Sequence, residues 1–195
     1  PLNVTLPHCV APVAWQANRS SKSLCSRLWL AISCHQPKFS PGSKVKYDSI
    51  DDVPEEILAD FEISLQDEEF GRFTIQLDQY NSPHATANFI RLAEGLVPWV
   101  DSTGGQVRQT PFYDGLSFHS LTAGTEIASG SRTGSGDDTP GWTIRDDFTR
   151  PGSGTYTMFM ENDGPNSNGS RFFINLPATL SANPGRAGGR YTAVG

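Results

Sequence analysis

Between residues 61 and 77 apolar side chains occupy every second position twice over: Phe61, Ile63 and Leu65, then Phe73, Ile75 and Leu77, with Gly71 breaking the run. Successive side chains on a strand point to opposite faces, so this alternation gathers all six on one face. A slip of one residue would turn every one of them to water, which fixes the register. Two such runs in succession predict a hairpin of half-buried strands. A two-stranded hairpin is marginal alone, so the remaining chain must cover its apolar face.

The first cover is a helix. Ser82-Pro83 places a capping residue before proline at the first helical position, and Ala85, Phe89, Leu92 and Ala93 fall on one face before Gly95 ends the segment. Residues 96–111, with Gly104, Gly105 and Pro111, read as a loop. Strands are expected near Leu116–Leu121, at Ile127–Ala128, over Thr155–Met160 and over Phe172–Leu176, with another starting at Tyr191–Val194. Glycines at 130, 134, 136 and 141 divide the intervening chain into loops, and the totals of 19 Gly and 14 Pro favour turns over long helices. Short strands at regular spacing predict a mainly β domain, a barrel or a sandwich.

Residues 1–60 differ in kind. Arg19, Lys22, Arg27, Lys38, Lys44 and Lys46 precede the first acid, Asp48; the net charge is −6, so residues 1–47 carry +6 and the remainder −12. The basic, acid-free start has the composition of a targeting or docking segment, and it reads as an irregular extension in which Leu28–Ile32 is the one strand-like piece. A short helical turn is expected at 54–59, capped by Asp51 or Asp52. The acidic body argues against a nucleic-acid partner, which requires a basic face. No apolar run approaches the ~20 residues of a membrane-spanning helix. Cys9, Cys25 and Cys34 all lie in the extension, and with His35 they lack the paired Cys-x-x-Cys spacing of a metal site. No metal or cofactor is expected, and the compartment is left open.

Five phrases, in order and spacing, together resemble the cyclophilin family of peptidyl-prolyl isomerases: FGRFTIQL at 70–77, ANFIRLAEG at 87–95, PFYDGLSFH at 111–119, GSGDDTPGWTIRDDF at 134–148 and NDGPNSNGSRFFI at 162–174. The long loop before PFYDG is similar to that of bacterial members. The resemblance implies a closed antiparallel eight-stranded barrel capped by helices over residues 61–195. In the family the chain continues past the position of Gly195 through a second helix and a closing strand. An open barrel edge is therefore expected here, to be covered by Leu28–Ile32 or by another subunit.

Isomerisation needs an apolar pocket for the proline ring and a donor to the prolyl nitrogen when the amide twists, since resonance holds the bond with a barrier of ~18–20 kcal/mol. In the family that donor is an arginine directly after a Phe-His pair. Here the pair is Phe118-His119 and the next residue is Ser120. Losing one preorganised donor costs about 3–4 kcal/mol of transition-state stabilisation. The resemblance places Thr125 and Glu126 where an aromatic residue and a methionine wall the pocket, Ala128 where a glutamine binds peptide backbone, Arg171 in place of another glutamine, and Tyr191 in place of a histidine. Phe118, His119, Asn162 and Phe173 match the family's pocket or its neighbours, with plain core packing as the competing reading for both phenylalanines.

The expected function is thus a cyclophilin-like module that binds protein or prolyl peptide, impaired as an enzyme, and serving as a subunit of a larger assembly through its extension or open edge. The alternative is an active isomerase in which Arg171 acts as a substitute donor. An unstable gene fragment is the third reading.

Overall fold

A computed structural model of the chain describes residues 28–35, 56–66, 68–147, 155–177 and 191–195. Ten strands and one helix are found among them: β1 Leu28–His35, β2 Ile57–Leu65, β3 Glu68–Leu77, α1 Pro83–Ala93, β4 Trp99–Val100, β5 Val107–Arg108, β6 Leu116–Ser117, β7 Ser120–Thr122, β8 Glu126–Ser129, β9 Met158–Met160 and β10 Phe172–Asn175.

The predicted hairpin is β2–β3, antiparallel with Phe61 opposite Phe73 and Ile57 opposite Leu77, and with a register shift between Ile63 and Ser64. It belongs to a four-stranded sheet in the order β3-β2-β1-β6. The strand expected at Leu28–Ile32 extends to His35 and pairs with β2 along its whole length, from Leu28 opposite Leu65 to His35 opposite Leu58. Its other edge meets β6 at Trp29 and Leu30. Ile32, 3% exposed, enters the core from this strand. The boundary expected at residue 61 falls inside β2, so the sheet draws in chain from before it.

Part of the expected helical turn at 54–59 is strand instead: β2 already begins at Ile57, while residues 54 and 55 lie outside the described residues. Pairing of Ile57 and Leu58 with Leu77 and Gln76 of β3 overrides the local capping signal, because a ladder with a buried face satisfies the same backbone groups and adds apolar contact. The expected loop at 96–111 contains the small ribbon β4–β5, Trp99 opposite Arg108. Asp101 organises its turn, accepting hydrogen bonds from Thr103 N at 3.0 Å and Thr103 Oγ1 at 2.6 Å while Arg108 Nε donates to its other oxygen at 2.7 Å. The strand expected over Leu116–Leu121 is divided at Phe118-His119 into β6 and β7, which belong to different sheets.

The second sheet runs β7-β8-β10-β9. Thr192–Gly195 lie along the outer edge of β9, with hydrogen bonds from Met160 N to Thr192 O, Val194 N to Met158 O and Met158 N to Gly195 O. Asp78 N at the end of β3 donates to Val194 O at 2.7 Å, so this segment ties the edge of the second sheet to the first. At the other edges the chain itself passes from β6 into β7.

Between the sheets lies a core of aromatic rings. Phe61 stacks on Phe73 at 4.5 Å and meets Phe89 of α1 and Phe172 of β10 at 6.3 and 6.0 Å. Tyr113 and Phe112 continue the cluster toward Trp99. The predicted apolar face of α1 is buried, with Ala85, Phe89 and Leu92 at 0% exposure. Gly95 ends the helix at φ +64, where a Cβ would stand 2.6 Å from the carbonyl carbon of Thr110, so only glycine fits.

The start of α1 differs from expectation. The Ser82 side chain makes no capping hydrogen bond. The carboxylate of Asp147 does so instead, accepting from His84 N at 2.8 Å and Ala85 N at 2.9 Å through Oδ2. A charged acceptor at the positive end of a helix is a stronger partner than a neutral hydroxyl.

Candidate functional site

The second sheet carries the predicted site on the face opposite the core. Directly paired residues of an antiparallel sheet share a face, and the register runs Ser120 opposite Ala128, Ala128 opposite Phe173, Phe173 opposite Phe159, and Phe159 opposite Ala193. One row across the sheet therefore brings together Ser120, Ala128 and Phe173, three residues separated by up to 53 positions in the chain. Stepping by two along each strand adds Glu126, Arg171, Asn175 and Glu161 to the same face.

Ala128, Phe159 and Phe173 form an apolar cluster separate from the main core, flanked by Tyr191 and Ala193. Phe159 and Phe173 stack at 5.2 Å, and the Tyr191 ring stands edge-on to Phe173 at 5.1 Å. Phe173 is 0% exposed. Among the described residues Tyr191 thus stands over part of the surface expected to contact proline. Phe118, by contrast, is part of the main core. Phe159 escaped the sequence reading: it alternates with Met158 and Met160 inside a run where all three are apolar, so alternation gives no face.

The polar end of the face is occupied by interactions within the chain. Arg171, 5% exposed, donates through Nη1 to Gly136 O and through Nη2 to Asp163 Oδ2, the latter at 2.5 Å. Asp163 is 68% exposed at its side chain, so the pair couples a buried guanidinium to a solvated carboxylate. His119 Nε2 lies 3.5 Å from Glu161 Oε2, and its Nδ1 is buried with no hydrogen-bond partner. Gly136 packs against the imidazole, where a Cβ would come within 2.9 Å of His119 Cδ2. The glycine-rich segment is thus a loop that packs on His119. Asn162 Nδ2 donates to Asn168 Oδ1 at 3.2 Å. Glu126 and Thr125 are half-buried at the opposite end, where Glu126 pairs with Asn175 and Thr122. Both amide atoms of Asn175 are buried without a partner.

Comparison with known proteins decides the family. The profile of the cyclophilin type peptidyl-prolyl cis-trans isomerase/CLD family matches residues 60–195. The chain belongs to the cyclophilin family. It is 35% identical over 115 residues to peptidyl-prolyl cis-trans isomerase B of Streptomyces anulatus, an alignment that covers 56% of this chain and 63% of that protein. It is 34% identical over 119 residues to peptidyl-prolyl cis-trans isomerase A of Mycobacterium tuberculosis, covering 58% of this chain and 63% of the relative. The chain therefore spans a little under two thirds of the length of these curated relatives. Among solved structures, a Cryptosporidium parvum cyclophilin type isomerase determined in the presence of the dipeptide Ala-Pro matches with a TM-score of 0.47 at 24% identity, over 64% of this chain and 71% of that one.

Beside the cyclophilin face lies a polar loop cluster. Asp138 accepts from Ser131 Oγ, from Arg132 N at 2.9 Å and from Thr133 Oγ1 at 3.1 Å. Burial alone would raise its pKa, but these donors together outweigh burial and hold the carboxyl below its ordinary value. Arg132 lies over the Trp99 ring at 5.1 Å and donates to Phe112 O and Asp114 O. Partial burial of its guanidinium lowers its pKa. Asn168, which heads an Asn-x-Ser triplet, is 0% exposed and donates to Asp146 Oδ1, so it is no acceptor for a glycan in the folded protein. Among the described residues no three His, Cys, Asp or Glu side chains gather as metal ligands. Nor is any helix among them long and apolar enough to cross a membrane.

Proposed function

We propose that this cyclophilin is a protein-binding module with little isomerase activity, recognising an extended segment of a partner rather than turning over prolyl bonds. The observation that carries the reading is Ser120. It sits in the row with Ala128 and Phe173, where the family resemblance places the donor to the prolyl nitrogen, and its hydroxyl is short and neutral. The expected substitute, Arg171, has both terminal nitrogens engaged, by Gly136 O and by Asp163. Re-aiming it toward a bound peptide would break a solvent-screened charge pair and give up the hydrogen bond to the half-buried Gly136 O, each costing about 1 kcal/mol.

The test is catalysed cis-to-trans relaxation of a proline peptide, measured on the wild-type chain and on a Ser120→Arg, Ala128→Gln variant. The wild type is expected to relax the peptide at close to the uncatalysed rate. The double variant is expected to accelerate it, because one preorganised donor is worth about 10²–10³ in rate. Wild-type turnover at the variant's level would sink the proposal. Wild-type turnover that vanishes in Arg171→Ala would establish the substitute-donor reading in its place.

A further inference from the structure

A second concavity lies apart from the cyclophilin face and shares no residue with it. It is a half-open cavity of about 480 Å³ between α1 and the segment carrying Trp142 and Ile144, lined further by Pro83, Ala87, Val97 and Pro98. That volume falls within the range of small-molecule sites, which combine an apolar wall with a few placed polar groups. We propose that this cavity binds a small organic acid, one carboxylate on an apolar ring-sized body.

The wall is fixed from behind. Asn88, 7% exposed, donates to Gly169 O at 2.8 Å and accepts the Trp142 indole N–H at 3.1 Å, which holds the indole plane against the helix. His84, at the rim, is held on both sides. Arginine has no acceptor, so the 2.7 Å contact of Arg145 Nη2 with His84 Nε2 makes Nε2 the acceptor and leaves Nδ1–H to donate to Asp147 Oδ1, also at 2.7 Å.

The charge of the lining selects the ligand. The chain beyond residue 47 carries a net −12, yet the charged or titratable lining residues are Arg91 and His84, with Arg145 directly behind the latter. The nearby carboxylate, Asp147, is 7% exposed at its side chain and already accepts two backbone N–H groups and the imidazole. Arg91 is exposed, lies in the last turn of α1 and makes no ion pair among the described residues. An anion at Arg91 with its apolar part on Trp142, Ile144 and Val97 would fill the cavity and meet an unshared guanidinium. A neutral apolar ligand would gain nothing from that guanidinium, which is exposed and stays hydrated.

The full chain, labelled with ¹⁵N, can be titrated with sodium 3-phenylpropionate while the Trp142 indole N–H signal is followed. A saturable shift with Kd on the order of 1 mM is expected, as suits a ligand of this size. The uncharged 3-phenylpropanamide and the Arg91→Gln variant should each bind about fivefold more weakly, the loss of one partly solvated charge pair. Ala87→Phe, which fills the cavity from the exposed side of the helix, should abolish the shift. A circular dichroism melt of each variant separates lost binding from lost fold. Absence of a saturable shift with wild type, equal binding of the acid and the amide, unchanged binding in Arg91→Gln, or a shift that persists in Ala87→Phe would each overturn the proposal.

Discussion

The molecule has two aromatic clusters, one between its sheets and one on the outer face of the second sheet, and they are built differently. In the inner cluster Phe61, Phe89, Tyr113 and Phe172 contact one another from two sheets and a helix. In the outer one Phe159 and Phe173 are neighbours on a single sheet, and Tyr191 supplies the ring on top. An inner ring is held from two sheets and a helix, whereas among the described residues the ring that stands over the outer pair is that of Tyr191, itself partly exposed. Burial fraction alone hides this, since Phe61 and Phe173 are both 0% exposed. What distinguishes a packing residue from a binding residue here is how much of the structure must move to uncover it.

The largest effect expected from that contrast is on stability. Phe61→Ala should lower the unfolding free energy by about 3–5 kcal/mol, measured by urea denaturation, because three elements lose contact and cannot collapse onto the cavity. Phe173→Ala should cost less, about 2–3 kcal/mol, since the outer face can relax into the space. Equal losses would erase the distinction. A smaller effect is expected at the cover: Tyr191→Ala should cost about 1 kcal/mol and raise the affinity for a proline peptide, read by calorimetry, as Phe173 becomes accessible. No gain in affinity would show that Tyr191 is not the cover.

The smallest effect concerns pH and leaves both clusters intact. The Asp138 carboxyl is held below its ordinary value in the fold, so it binds its proton more weakly folded than unfolded. Its contribution is fully present above the unfolded value of about 3.9 and is lost as pH falls through the lower folded value. Asp138→Asn should therefore flatten the acid limb of thermal stability below about pH 4 while leaving neutral-pH melting shifted by a constant amount. An unchanged acid limb would remove the loop from the account.

Much of this was legible in the sequence where periodicity carried it. The hairpin over residues 61–77, the buried stripe of α1 and the short strand at Leu28–Ile32 all follow from apolar spacing and turn residues. The outer face was legible through the family resemblance, which named Ser120, Ala128 and Phe173 before any geometry joined them. The failures share a cause. The helical turn expected at 54–59 lost to cross-strand pairing, the capping role expected of Ser82 passed to Asp147, and the cavity beside α1 joins residues 83–98 to 142–144. Each depends on partners distant in sequence, which no local window contains.

The cap on α1 has a kinetic counterpart. An isolated eleven-residue helix is marginal in water, and the acceptor for two of its leading amides comes from 62 and 63 positions downstream. The first turn can mature only after the 142–147 segment has docked, so the two should close as one cooperative unit rather than in sequence order. Hydrogen exchange at His84 and Ala85 would then track the docking of that distant segment. The cavity they flank would come and go with the same opening event.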